Sequence, residues 1–110
     1  MEIEISTERD RLDVALIHHW LSEHSYWARG RTMDAVRTSI DNSICFGAYA
    51  GGRQVGFCRV VTDRATHAWL ADVFVADKWR GRGCGKALVA AAMAHSELEG
   101  ISRWILATRD

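Results

Sequence analysis

Proline does not occur once in the 110 residues, so every turn must come from Gly, Asp or Asn. Cysteine is scarce as well: Cys45, Cys58 and Cys84 are an odd number and form no CxxC pair. That fits neither a disulfide framework nor a structural zinc site, and three reduced thiols are expected. Neither sign of charge is in excess, with Lys plus Arg and Asp plus Glu both at 14. No global field draws the chain to nucleic acid or to a membrane surface, and neither partner is expected; any electrostatic attraction has to be local. No window approaches the ~18 apolar residues of a membrane span. The opening "MEIEISTERD" has neither the cationic start nor the apolar stretch of a leader, so a cytoplasmic location is expected.

What is present is ordinary globular composition, 48% hydrophobic and 25% charged, in a length that suits one domain over residues 1–110. "EIEIS" alternates with period two and reads as a strand. In "DRLDVALIHHWLSEH" the apolar residues Leu12, Leu16, Ile17, Trp20 and Leu21 recur at helical spacing, with Asp10 or Asp13 as cap. "SYWARGR" breaks that pattern. Thr32 then caps a short helix, "MDAVRTSIDN". From residue 43 the period changes, and "SICFGAYA", "GGR" and "QVGFCRVVT" spell a hairpin on a Gly-Gly turn. "HAWLADVFV" is a further strand, "GKALVAAAMAHSEL" a helix, and "SRWILAT" a last strand. The order β-α-α-β-β-β-α-β predicts an α+β fold, a mixed and mainly antiparallel sheet flanked by helices with one strand–helix–strand crossover.

Between the third hairpin strand and its helix lies "VFVADKWRGRGCGKALVAAAM". A strand, a glycine turn and a helix N-terminus make an anion site, because the first N–H groups of a helix are unpaired and its dipole is positive there. Lys78, Arg80, Arg82 and Lys86 add four positive charges to the same stretch. Two nucleotide motifs are excluded. A P-loop needs glycine five residues before Gly85, where Arg80 stands, and Ser or Thr after Lys86, where Ala87 stands. The dinucleotide pattern fails because Lys86 occupies the place of its third glycine.

The stretch resembles the acyl-CoA signature of the Gcn5-related N-acetyltransferases, Arg/Gln-x-x-Gly-x-Gly/Ala, in Arg80-Gly81-Arg82-Gly83-Cys84-Gly85. Asp77 stands where that family often has proline. The resemblance implies an acyl-CoA N-acyltransferase fold, acetyl-CoA as co-substrate, no metal, and transfer of an acetyl group to a primary amine of a small molecule or peptide. It also implies that Arg80, Gly81, Arg82, Gly83, Cys84, Gly85 and Lys86 hold the pyrophosphate. The pantetheine arm would lie along Val73, Phe74 and Val75, whose strand carries a bulge in the family, with Val73 and Val75 pairing to its amides. "SYWARGR" and "LATRD" resemble a bacterial subset in which a helix, two closing strands and a thiolate-protonating tyrosine follow. On that resemblance the chain lacks its final helix and strands, and the rival reading is a non-catalytic CoA-binding or assembly module completed by another chain. A homo-oligomer through an exposed edge near residues 102–108 is the corresponding partner expectation.

Direct attack on a thioester needs a neutral amine, so a carboxylate near the attack point is sought. Asp72, alone in the apolar "WLADVFV", is the candidate catalytic residue; the alternative is that it bonds a neighbouring loop and only shapes the site. Tyr26, Trp27 and Arg29, with Arg31, are candidates for the acceptor pocket, or in the case of the aromatics for core. His18, His19 and His24 lack a metal-like partner set. Cys84 at a helix start is expected to pack against CoA rather than to react.

Overall fold

The computed structural model describes residues 2–106. Five strands form a single sheet in sequence order: β1 (Glu4–Ser6), β2 (Ile44–Ala50), β3 (Arg53–Thr62), β4 (His67–Val75) and β5 (Arg103–Leu106). The first four are antiparallel neighbours, and β5 joins β4 in parallel through the crossover helix α3 (Cys84–Met93). This is the α+β arrangement predicted from the element order. The end of the predicted last strand, residues 107 and 108, lies outside the described residues.

Helices α1 (Val14–His24) and α2 (Met33–Asp41) cover the other face. Asp13, not Asp10, caps α1 by accepting from Leu16 N at 3.0 Å, and Thr32 caps α2 by accepting from Ala35 N at 3.1 Å. The helix predicted to start near residue 10 begins later, because Arg9–Arg11 form a separate 3-10 turn. Likewise α3 stops at Met93 and Ser96–Leu98 make their own 3-10 turn.

Strand alternation sorts the side chains into two cores. Phe46, Ala48, Cys58, Val60, Ala68 and Leu70 pack under α3 with Leu88 and Ala92. Cys45, Phe57 and Phe74 pack under α1 and α2 with Ile17, Trp20, Leu21, Val36 and Ile40. All three cysteines are free and buried, as expected for reduced thiols. Among the described residues, no helix is long and apolar enough to cross a membrane.

Candidate active site

The geometry of the site begins with a slip in register. Val60 pairs with Leu70 and Arg59 with Ala71, but Phe57 pairs with Phe74, so β4 carries one extra residue opposite Cys58. The extra length falls at Asp72, whose φ is +54°, a left-handed conformation that non-glycine residues seldom adopt. Simple alternation from Ala68 and Leu70 would send Asp72 into the apolar core under α3. The bulge instead turns it to the α1 and α2 face, while Val73 and Val75 return to the α3 side.

There Asp72 meets three donors. Its Oδ1 accepts from Trp27 Nε1 at 2.9 Å, and its Oδ2 accepts from both Arg31 Nη1 and Arg59 Nε, each at 2.7 Å. Only 3% of the side chain is exposed. Burial pushes the carboxyl pKa up, but hydrogen bonds from Arg59 and Arg31, with the charges of those guanidiniums, hold it below the ordinary carboxylate range. A carboxylate with both oxygens occupied and a lowered pKa is a poor proton acceptor. The arrangement therefore speaks against Asp72 as a base and for the alternative reading, in which it bonds a neighbouring segment and shapes the site.

That segment, residues 25–31, is built to be held. Ser25 Oγ donates to Leu21 O at 2.6 Å and accepts from Ala28 N at 3.1 Å, while His18 Nε2 lies 3.0 Å from Arg31 O. Ala28 is the residue that enters the core, so Tyr26 and Trp27 remain 54% and 42% exposed and face a cavity of about 1060 Å³. Tyr26, Trp27, Arg29 and Arg31 all line it, together with Arg59, Trp69 and residues 70–75 of β4. A core role for Trp27 is thereby excluded. Arg59 was missed from the sequence. Its signal was a single cation inside the apolar run "VGFCRVV", matching the single anion inside "WLADVFV".

The same cavity reaches Val73, Phe74, Val75 and Arg80 at the end of β4. Phe74 stacks on Trp20 with ring centroids 5.3 Å apart, so its side chain belongs to the core and only its backbone could meet a cofactor. Arg80 Nε donates to Val75 O at 3.1 Å, and its Nη1 lies 3.1 Å from Asp77, tying the loop to the strand. Asp77, at the position where the resembled family often has proline, starts a 3-10 turn, Asp77–Trp79.

Beyond it, Gly81 and Gly83 have φ of +77° and +84°, and a Cβ on either would meet nothing within 4 Å. This is an open cradle over the first turn of α3, whose start has no side-chain cap. Lys86 and Arg82 are exposed beside it, Arg82 lying 5.1 Å from the centre of the Trp79 ring. The residues present thus fit an oxyanion such as a pyrophosphate. Cys84 does not face that cradle: its side chain is 1% exposed in the core, and burial raises its thiol pKa. The expectation that Cys84 packs against CoA is corrected on this point, and its N–H alone remains available to the loop. No group of three or more His, Cys, Asp or Glu placed to hold a metal occurs among the described residues.

Comparison with known proteins follows the same line. A crystal structure from Xanthomonas campestris pv. campestris, of a protein assigned to the GNAT family, is 47% identical and superposes with a TM-score of 0.96 over 100% of this chain and 78% of that one. The enzyme AAC(6')-Iy, solved with the bisubstrate analogue CoA-S-monomethyl-acetylneamine, shares the fold at 20% identity and a TM-score of 0.71, over 98% of this chain and 80% of that one. A Gibberella zeae protein assigned as an acetyltransferase is 30% identical over 74% of this chain, and the match spans 57% of that protein's length. The model of the Acetyltransferase (GNAT) family matches residues 14–110, and the chain belongs to that family.

Proposed function

We propose that this protein is an acetyl-CoA-dependent N-acetyltransferase acting on a primary amine. The observation that carries the reading is the continuity of one cavity from the aromatic and arginine wall at 26–31, along β4, to Arg80 at the edge of the glycine cradle. A donor held by its pyrophosphate at residues 80–86 would run its pantetheine arm along the backbone of Val73 and Val75. Its thioester would then come near the bulge at Asp72. When bound, acetyl-CoA supplies an acyl carbon open to attack by a neutral amine.

The chain's own residues bind and orient. The N–H groups at the start of α3 and the flanking cations hold the phosphates. Backbone N–H groups beside the bulge would donate to the developing oxyanion, a kind of stabilisation that is the largest single contribution in many acyl transfers. Trp27, Arg31 and Arg59 converge on Asp72 and clamp residues 25–31 against β4, so the acceptor wall keeps a fixed distance from the donor. AAC(6')-Iy, with its CoA-containing analogue, supports a CoA donor for this fold.

A second reading is favoured by the outermost described strand. Ile105 and Leu106 of β5 are 49% and 53% exposed beside Trp69 at 44%, an apolar edge suited to pairing with another chain. In that reading the chain is a CoA-binding or assembly module, and a homo-oligomer is its simplest form.

The discriminating experiment follows thiol release from acetyl-CoA with a panel of amines, alongside mass by light scattering. Amine-dependent release well above the hydrolysis background is expected. A chain that binds CoA, associates through β5 and transfers nothing would overturn the enzymatic reading in favour of the second.

A further inference from the structure

The charges lining the cavity do not balance. Four arginines, Arg29, Arg31, Arg59 and Arg80, face it against two carboxylates, Glu23 and Asp72. Arg80 is engaged with Val75 O and Asp77 at the loop end. Around Asp72 the surplus persists, because Arg31 and Arg59 both bind one oxygen of a single carboxylate. Their side chains are only 23% and 12% exposed. Two guanidiniums on one carboxylate leave a net positive charge in partly buried surroundings, where screening by water is weak and a charge acts further. Arg29, exposed on the same wall, adds to it.

Such a wall selects among amines. A simple alkylammonium carries only positive charge and is repelled on entry. An amine that also bears an oxyanion enters with no net positive charge and anchors its anion on guanidinium N–H groups, whose planar fork suits carboxylate and phosphate. The wall does a second thing once that anchor is made. Positive charge disfavours the ammonium form and so lowers the pKa of the bound amine toward the neutral nucleophile. That effect suits a site whose buried carboxylate is already committed to arginines. Tyr26, Trp27 and Trp69 give the same cavity an aromatic border, able to cover the carbon body of such a molecule.

We infer that the acceptor is a small primary amine bearing a carboxylate or a phosphate close to its amino group, with Arg31 and Arg59, backed by Arg29, facing the oxyanion. The inference rests on the acetyltransferase reading but is read at a different place from the CoA loop. The test uses the indole N–H resonance of Trp27, which sits on Asp72 at 2.9 Å and is assigned through Trp27→Phe. The 110-residue chain is titrated with phenylalanine against phenylalaninamide, and with phosphoethanolamine against ethanolamine, each with and without free CoA. CoA affinity is measured separately by calorimetry, so loss of CoA binding bears on the loop, whereas the acid-over-neutral ratio bears on the acceptor.

In at least one pair the acid member is expected to bind about tenfold more tightly or better, and which pair responds separates carboxylate from phosphate. Arg31→Gln should erase the preference. Arg29→Gln, on an exposed side chain that leaves the Asp72 cluster intact, should reduce it severalfold. Equal affinities within both pairs, a preference for the neutral members, or a preference unchanged in both arginine variants would overturn the inference.

Discussion

Asp72 carries the most information of any single residue. Its replacement by Asn keeps the size and tolerates the left-handed backbone, but it leaves Arg31 and Arg59 facing each other without a counterion. We expect Asp72→Asn to cost about 3 kcal/mol of stability by chemical denaturation, the scale of breaking a buried ion pair from one side. The loss should depend on pH. The folded-state pKa of Asp72 is depressed, so its contribution is fully present above the unfolded value of about 4 and fades as pH falls through the folded value. The stability gap between wild type and variant should therefore be constant near neutrality and narrow in acid. A gap that widened in acid would contradict the assigned network. The sequence made the residue conspicuous but not its partners. Alternation along "WLADVFV" places it on the wrong face, and only the bulge, which no side chain in that run announces, brings it to Arg59.

The element that positions the glycine cradle is α3, and its seat depends on a glycine far from the loop. Gly56 of β3 lies under the helix start: a Cβ there would be 2.9 Å from Cys84 Sγ, 3.2 Å from Leu88 Cδ1 and 3.3 Å from Ala48 Cβ. The absent side chain lets Cys84 fill the notch and brings the first turn of α3 against the sheet. Gly56→Ala should cost about 1–3 kcal/mol through overpacking and weaken CoA binding by tilting the cradle, both measurable on one preparation by unfolding and calorimetry. Unchanged stability would show that the helix has slack the packing does not suggest. The glycine loop itself was legible, since Gly81, Gly83 and Gly85 between a strand and an alanine-rich run leave few other structures. The role of Cys84 was not. Its neighbours in sequence are loop residues, and its neighbour in space is a glycine 28 positions earlier.

At the scale of the molecule, element order was enough to give the sheet, because a Gly-Gly hairpin, a second turn at Asp63 and one helical crossover leave little topological freedom. The cavity was beyond that reasoning, because it forms where residues 25–31 are laid against a bulged strand some 40 positions later. If this cavity and the glycine cradle are two ends of one acetyl-CoA site, as proposed, calorimetry of CoA binding to the 110-residue chain is the decisive measurement. At Gly83, with φ of +84° and open space above it, a glutamate side chain would bring bulk and negative charge to the place assigned to the pyrophosphate. Asn at the same position tolerates that backbone and separates strain from occlusion. Measurable CoA binding is expected for the wild type, largely kept in Gly83→Asn and abolished in Gly83→Glu. The same affinity for CoA in the wild type and in Gly83→Glu would contradict that proposal.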